Sequence, residues 1–204
     1  SHRERTLYEK LGRIWGEELD REEKAIDNWN KVLELAPDET APKWALIDLY
    51  ERSDRFEDFV RTGAELIGTL ASGTEEEQTL ARKMARIATD ELKSVEQGIE
   101  YWSRVTATLP EDEEGLLALE ELYTTAEDWR NCALILQKRA RLSTDAFEQI
   151  AGWFRVSEVA GEKLEDAEMF QLALSTVLEL DAQNLDAMQQ LEDSYHACGM
   201  WEEK

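Results

Sequence analysis

Proline, glycine, cysteine, histidine and basic residues are all scarce in this chain of 204 residues, and each shortage closes off a class of protein. Three Pro and ten Gly are too few for an all-β protein, which needs turn residues every few positions. Two Cys, Cys132 and Cys198, make no disulfide framework, and both read as small apolar core residues of helices. Two His, His2 and His196, cannot build a histidine-based metal centre. Lys and Arg total 23 against 46 Asp and Glu, a net charge of −23. Nucleic acid and anionic membrane surfaces need clustered cations, so neither is an expected partner. A basic protein or peptide fits that charge, although solubility is its plainest use. No apolar run of about 18 residues exists to span a membrane. The chain opens Ser1-His2 without Met, which reads as a cloning remnant, so the lack of a visible signal peptide carries little weight. A cytoplasmic location is the expectation.

What the chain has is aromatic and charged helix. Hydrophobic residues make up 42% and charged residues 34%, and seven Trp, five Tyr and five Phe exclude an unfolded chain. The aromatics recur. Leu46, Leu49, Tyr50 and Phe56 return at a constant spacing as Leu119, Leu122, Tyr123 and Trp129. A further step gives Leu191, Tyr195 and Trp201. A second series interleaves: Ala25, Trp29 and Pro37, then Gly98, Trp102 and Pro110, then Phe170, Leu174 and Ala182. Leu19, Leu92 and Leu164 keep one offset ahead of that series. The period is about 72 residues, and each period holds two units of roughly 32 to 40 residues.

Within a unit the apolar residues fall at helical spacing, break, and resume. Leu7, Leu11, Ile14 and Trp15 form one stripe, and Ala25, Ile26, Trp29, Val32 and Leu33 form the next. The stretches "LAPDE" and "LPEDE" stop the second helix, because Pro cannot continue it and acidic residues suit the start of the next. Thr74 to Gln78, "TEEEQ", offers a capping box with Thr74 as N-cap and Glu77 reaching back. No useful strand alternation appears. The expected fold is therefore an all-α solenoid of helix-turn-helix units, about five complete and a truncated sixth. The units run 3–39, 40–73, 74–112, 113–144, 145–184 and 185–204, all within one repeat domain. The ending "YHACGMWEEK" reads as a third copy cut short, as if the chain were part of a longer solenoid.

These units resemble the tetratricopeptide repeat (TPR) family. Leu11-Gly12 with Trp15, then Ala25-x3-Trp29 and Pro37, follows its two-helix pattern, and Gly98-x3-Trp102 with Pro110 repeats it. Leu46 with Tyr50, Leu119 with Tyr123 and Leu191 with Tyr195 fit the first-helix pair. Ile47, Glu120 and Glu192 stand where the family has a small residue, and Phe59 and Phe170 stand where it has Ala. The first, third and fifth units are a few residues longer than the others. The Trp-rich second helices also resemble half-a-TPR repeats of RNA-processing factors. The resemblance implies a right-handed superhelix whose first helices line a concave groove. It also implies a carboxylate clamp of Lys and Asn, but Glu9, Arg13, Trp44, Ala45 and Asp48 occupy those places, so no clamp is expected.

Catalytic, cofactor-binding and metal-binding residues are not expected. Phosphate-binding glycine loops, Cys-x2-Cys, His-Glu-x2-His and Gly-x-Ser-x-Gly are all absent from the sequence. Paired carboxylates such as Glu120-Glu121 and Glu165-Asp166 read as solvated helix faces and turns. The expected function is a non-enzymatic scaffold or adaptor that holds a peptide or partner helix in the groove. A regulatory or spacer arm of a larger enzyme, with catalysis elsewhere, is the alternative. The candidate groove residues are Trp44, Asp48, Leu117, Glu121, Phe154 and Glu158, joined by Arg82 and Arg86 from the basic run "ARKMAR". Packing between neighbouring first helices competes for the aromatics, and pairing with Asp48, Glu51 or Glu121 competes for the arginines. The partner is expected to be a protein or peptide, basic in character. End-to-end self-association through the truncated last repeat is a further expectation.

Overall fold

A computed structural model describes residues 2–197, and every regular element among them is a helix. Cys198, Trp201 and Lys204 lie outside the described residues. The chain divides between Thr108 and Leu109 into two compact parts.

The N-terminal part holds α1 (His2–Arg13), α2 (Glu22–Leu35), α3 (Thr40–Arg52), α4 (Phe56–Ile67), α5 (Glu75–Arg86) and α6 (Val95–Thr108). Each helix packs on the one after it. The core is filled by Ile26, Leu46, Phe59, Leu66, Leu80 and Met84, all fully buried. The second-helix stripe is as expected, with Ala25, Ile26, Trp29 and Val32 inside. The α1 stripe differs: Leu7 and Ile14 are exposed. The close approach of α1 to α2 is made instead at Gly12, where an added Cβ would lie 2.8 Å from Trp29 Nε1. Pro37 follows the end of α2 and Pro110 the end of α6, so both stop signals act where the sequence put them. Pro42 sits in the first turn of α3, where its missing N–H breaks no helical bond.

The C-terminal part holds α7 (Glu113–Thr125), α8 (Trp129–Leu142), α9 (Ala146–Glu162), α10 (Ala167–Leu180) and α11 (Leu185–Ala197). Consecutive helices again pack together. Its core is built on Leu136, Trp153, Val156, Leu174 and Val177 with several alanines, and Leu191 of α11 packs against it. Here the helix starts are capped by carboxylates. Asp112 accepts from the Gly115 N–H, Asp128 from Asn131, Asp145 from Phe147 and Glu148, and Asp166 from Met169.

Two kinds of turn alternate along the chain and give the double repeat a physical basis. After α3 and α7 the turn is tight. Asp54 and Glu127 take positive φ of 55°, and the N–H groups of Arg55 and Asp128 donate back to Tyr50 and Tyr123 carbonyls, both at 2.9 Å. After α1, α5 and α9 the last turn widens. Leu19, Leu92 and Leu164 donate five residues back to Ile14, Ile87 and Val159 at 3.0–3.1 Å. Arg21, Ser94 and Asp166 then donate to Trp15, Ala88 and Ala160, across Asp20, Lys93 and Glu165 at positive φ. The first helices that end in the wider turn, over 2–18, 75–91 and 146–162, are also a turn longer than α3 and α7, which is why the first, third and fifth units are longer.

Candidate functional site

First helices are tied directly to one another in both parts. In the N-terminal part Arg52 of α3 donates to Asp20 after α1 at 2.8 Å, and Lys83 of α5 donates to Glu51 of α3 at 2.6 Å. In the C-terminal part Arg155 of α9 donates to Glu120 of α7. Lys83 and Arg155 occupy equivalent repeat positions, but their carboxylate partners do not, so the cation recurs while its partner on the preceding first helix changes.

Glu120 overturns the expectation that the paired carboxylates are solvated. Glu121 is exposed, but Glu120 is 8% exposed and clasped between two arginines. One carboxylate oxygen accepts from Arg139 of α8 and the other from Arg155 of α9. Charge buried this far must be paired, and both oxygens are. Ile47, at the same repeat position, is 4% exposed, and Leu66, the counterpart of Arg139, is fully buried. An apolar pair in one part is thus replaced by an ion triad in the other. The sequence marked Glu120 as irregular but gave no sign of Arg139.

Arg139 and Arg155 of the triad line a cleft of about 490 Å³ in the C-terminal part. Its floor is the buried Leu116, Leu136 and Ala140, and Ala151 and Gly152 of α9 also line it. A Cβ added at Gly152 would lie 2.8 Å from the Ala140 Cβ, so glycine lets α9 approach α8 there. Glu111, Glu113 and Glu148 stand at the rim. Glu148 accepts from the Ser143 hydroxyl at 2.9 Å.

The eight candidate residues fall four in each part. Trp44 is half-buried on α3, one turn before exposed Asp48 and two turns before Glu51. Asp48 lies 3.8 Å from Arg52. On α5, Arg82 is half-buried and Arg86 exposed, and Lys83 between them bridges to Glu51 of α3. On α7, Leu117 is 44% exposed and Glu121 follows one turn on. On α9, Glu158 is exposed, whereas Phe154 is half-buried against the core. The aromatic that α9 offers to solvent is Phe147, 85% exposed, which the repeat pattern did not single out.

A second charged cluster sits at the turn into α4. Asp58 accepts two hydrogen bonds from Arg55, at 2.8 and 2.6 Å, and one from Arg61. Burial raises the Asp58 pKa, but the bonds and charges of Arg55 and Arg61 together outweigh it and hold the carboxyl below its ordinary value. The Arg55 guanidinium also lies 5.1 Å from the Tyr50 ring centre.

Among the described residues no group of three His, Cys, Asp or Glu could hold a metal, and no helix is long and apolar enough to cross a membrane. Cys132 is buried in the core, its Sγ 3.4 Å from Thr124 Oγ1.

No protein-family model matches the chain, and no curated protein does. Solved structures are similar to it. A tetratricopeptide repeat protein from Parabacteroides merdae is 12% identical over 97% of this chain and 74% of its own, with a TM-score of 0.47. MamA protein is 16% identical over 91% and 97%, with a TM-score of 0.48. YrrB, a TPR protein with an unusual peptide-binding site, is 11% identical over 91% and 90%, with a TM-score of 0.47. In its own geometry the fold is TPR-like: all-α, with antiparallel helix pairs of the α-solenoid kind that bury Ala25, Trp29, Gly98 and Trp102 between them.

Proposed function

We propose that this chain is a non-enzymatic protein-interaction module that holds a peptide or helix of a partner protein against its first helices. The observation that carries the reading is the direct linkage of successive first helices, Glu51 to Lys83 and Glu120 to Arg155. Helices fixed side by side hold the residues between the links in place: Trp44 and Asp48 in one part, Leu117 and Glu121 in the other. A fixed surface loses little freedom on binding, and that favours affinity. Asp48, Glu121 and Glu158 favour a partner rich in Lys or Arg, since complementary charge steers encounter and sets specificity. The absence of any catalytic motif from the sequence supports a role without chemistry.

A peptide array probed with the wild-type chain and with Trp44→Ala plus Leu117→Ala tests this. Loss of about 2 kcal/mol or more in binding is expected if these side chains anchor the ligand. Circular dichroism must show both proteins folded alike. Unchanged binding by the double variant would remove the first-helix surface as the site.

A further inference from the structure

The cleft between α7, α8 and α9 deepens that reading, on which it rests, by naming the chemistry of the ligand. We infer that the cleft receives a lysine or arginine side chain of a basic segment of the partner protein, with a neighbouring apolar residue of that segment resting on the cleft floor.

Shape, lining and charge converge. A volume of about 490 Å³ lies in the range of ligand-holding clefts. Leu116, Leu136 and Ala140 offer apolar surface for an aliphatic stem, and exposed Ala151 leaves room that a larger side chain would fill. The rim supplies carboxylates for the charged head. Glu111 and Glu113 are exposed and reach into the cleft without an ion pair to any described residue. Glu148 uses one oxygen on Ser143. The two arginines in the wall do not reverse this sign, because each is already bound to its own oxygen of Glu120. Glu111, Glu113 and Glu148 outnumber Arg139 and Arg155 among the lining residues, and both arginines are paired with Glu120, so the cleft favours a cation and disfavours a carboxylate. The floor makes the site selective for a mixed basic and apolar segment over a run of cations alone.

Fluorescence anisotropy with short labelled peptides tests the inference. One probe alternates Lys with Leu, a second Arg with Leu, and a third Glu with Leu. Two variants act on the cleft. The first is Glu111→Gln with Glu113→Gln and Glu148→Gln, which removes the rim charge. The second is Ala151→Phe, which fills the space and keeps the charge. A control, Glu57→Gln with Glu75→Gln and Glu76→Gln, removes the same charge from exposed positions of the N-terminal part. The basic probes are expected to bind, with affinity falling about tenfold or more in both cleft variants and staying within about twofold in the control. An equal fall in the control would reduce the effect to net charge and overturn the inference. Basic-probe binding unaffected by either cleft variant would overturn it while leaving the interaction-module reading intact. Preference for the Glu probe would overturn the predicted sign. Failure of all three probes to bind would overturn the inference, while the interaction-module reading stands or falls by the peptide array.

Discussion

The two parts of the molecule solve the same packing problem with different chemistry. Where the N-terminal part buries Ile47 on α3 and Leu66 on α4, the C-terminal part has Glu120 on α7 and Arg139 on α8, with Arg155 from α9 closing the triad. The turns differ in the same spirit. Arg55 precedes α4 and binds Asp58, whereas at the matching places Asp128 precedes α8 and caps it through the N–H and side-chain amide of Asn131. A solenoid tolerates such exchanges because each helix meets only its neighbours, so a local pair can change without disturbing distant ones.

The exchange alters what each region is good for. An apolar pair adds stability through burial. A buried ion triad adds little net stability, since desolvation cancels most of the attraction, but it fixes which side chains meet. In the C-terminal part it also sets polar groups in the wall of an open cleft. The N-terminal part at these positions is closed core.

Variants that move one chemistry into the other region sharpen this contrast. The largest effect is expected from Leu66→Arg, which places an unmatched charge in the fully buried site beside α3; urea unfolding should show a loss of about 4 kcal/mol or more. Glu120→Ile strands two guanidinium groups, of which Arg139 is the more buried. It is expected to cost about 3 kcal/mol by the same measurement. Adding Arg139→Leu to Glu120→Ile restores the N-terminal pattern. The double variant should recover to wild-type stability or exceed it by about 1 kcal/mol, Arg155 returning its half-exposed head to water. A double variant as unstable as Glu120→Ile alone would contradict the equivalence of the two sites.

The smallest effect concerns pH. Asp58 titrates lower in the folded chain than in the unfolded one. Its contribution is therefore complete above the unfolded carboxyl value of about 3.9 and is lost as the pH falls through the lower folded value. Replacing Arg55 by Asp and Asp58 by Asn transplants the C-terminal cap. Stability at neutral pH should stay within about 1 kcal/mol of wild type. Below about pH 4 the variant should lose stability over a different range, because its new carboxylate at position 55 is held by neutral donors in place of arginines. Identical acid unfolding curves would show that the Arg55–Asp58 pair contributes nothing.

Much of the fold was legible because it is written locally. Pro37 and Pro110 mark helix ends, Gly12 follows Leu11 where Trp29 must come close, and the Tyr50 and Tyr123 series fixes the period. The capping box at Thr74 was legible too, with one change. Thr74 accepts from Glu77, but Glu77 takes the Gly73 N–H and lies buried against Arg104 at 2.5 Å. The alternation of turn types is marked in the sequence by the unit lengths and by the Leu19, Leu92 and Leu164 series, but the widened hydrogen bonding that these leucines make is not legible from spacing alone. The candidate site was less legible. Glu120 looked like a surface carboxylate because its partners stand 19 and 35 residues away on other helices. Phe154 is a groove candidate by sequence, and its half-burial against the core depends on packing that no single-helix pattern encodes. Phe147 lies at the start of α9, outside the repeating positions.

On the proposal above, the partner is carried by the first helices α7 and α9 together with the face of α8 that lines the cleft. Methyl NMR during titration with the alternating Lys and Leu peptide addresses it most directly. Saturable shifts are expected at Leu116, Leu117, Leu136 and Leu142, with Leu46, Leu66 and Leu174, which lie away from the cleft, unmoved. Saturation of the peptide with no change at those four leucines would contradict it.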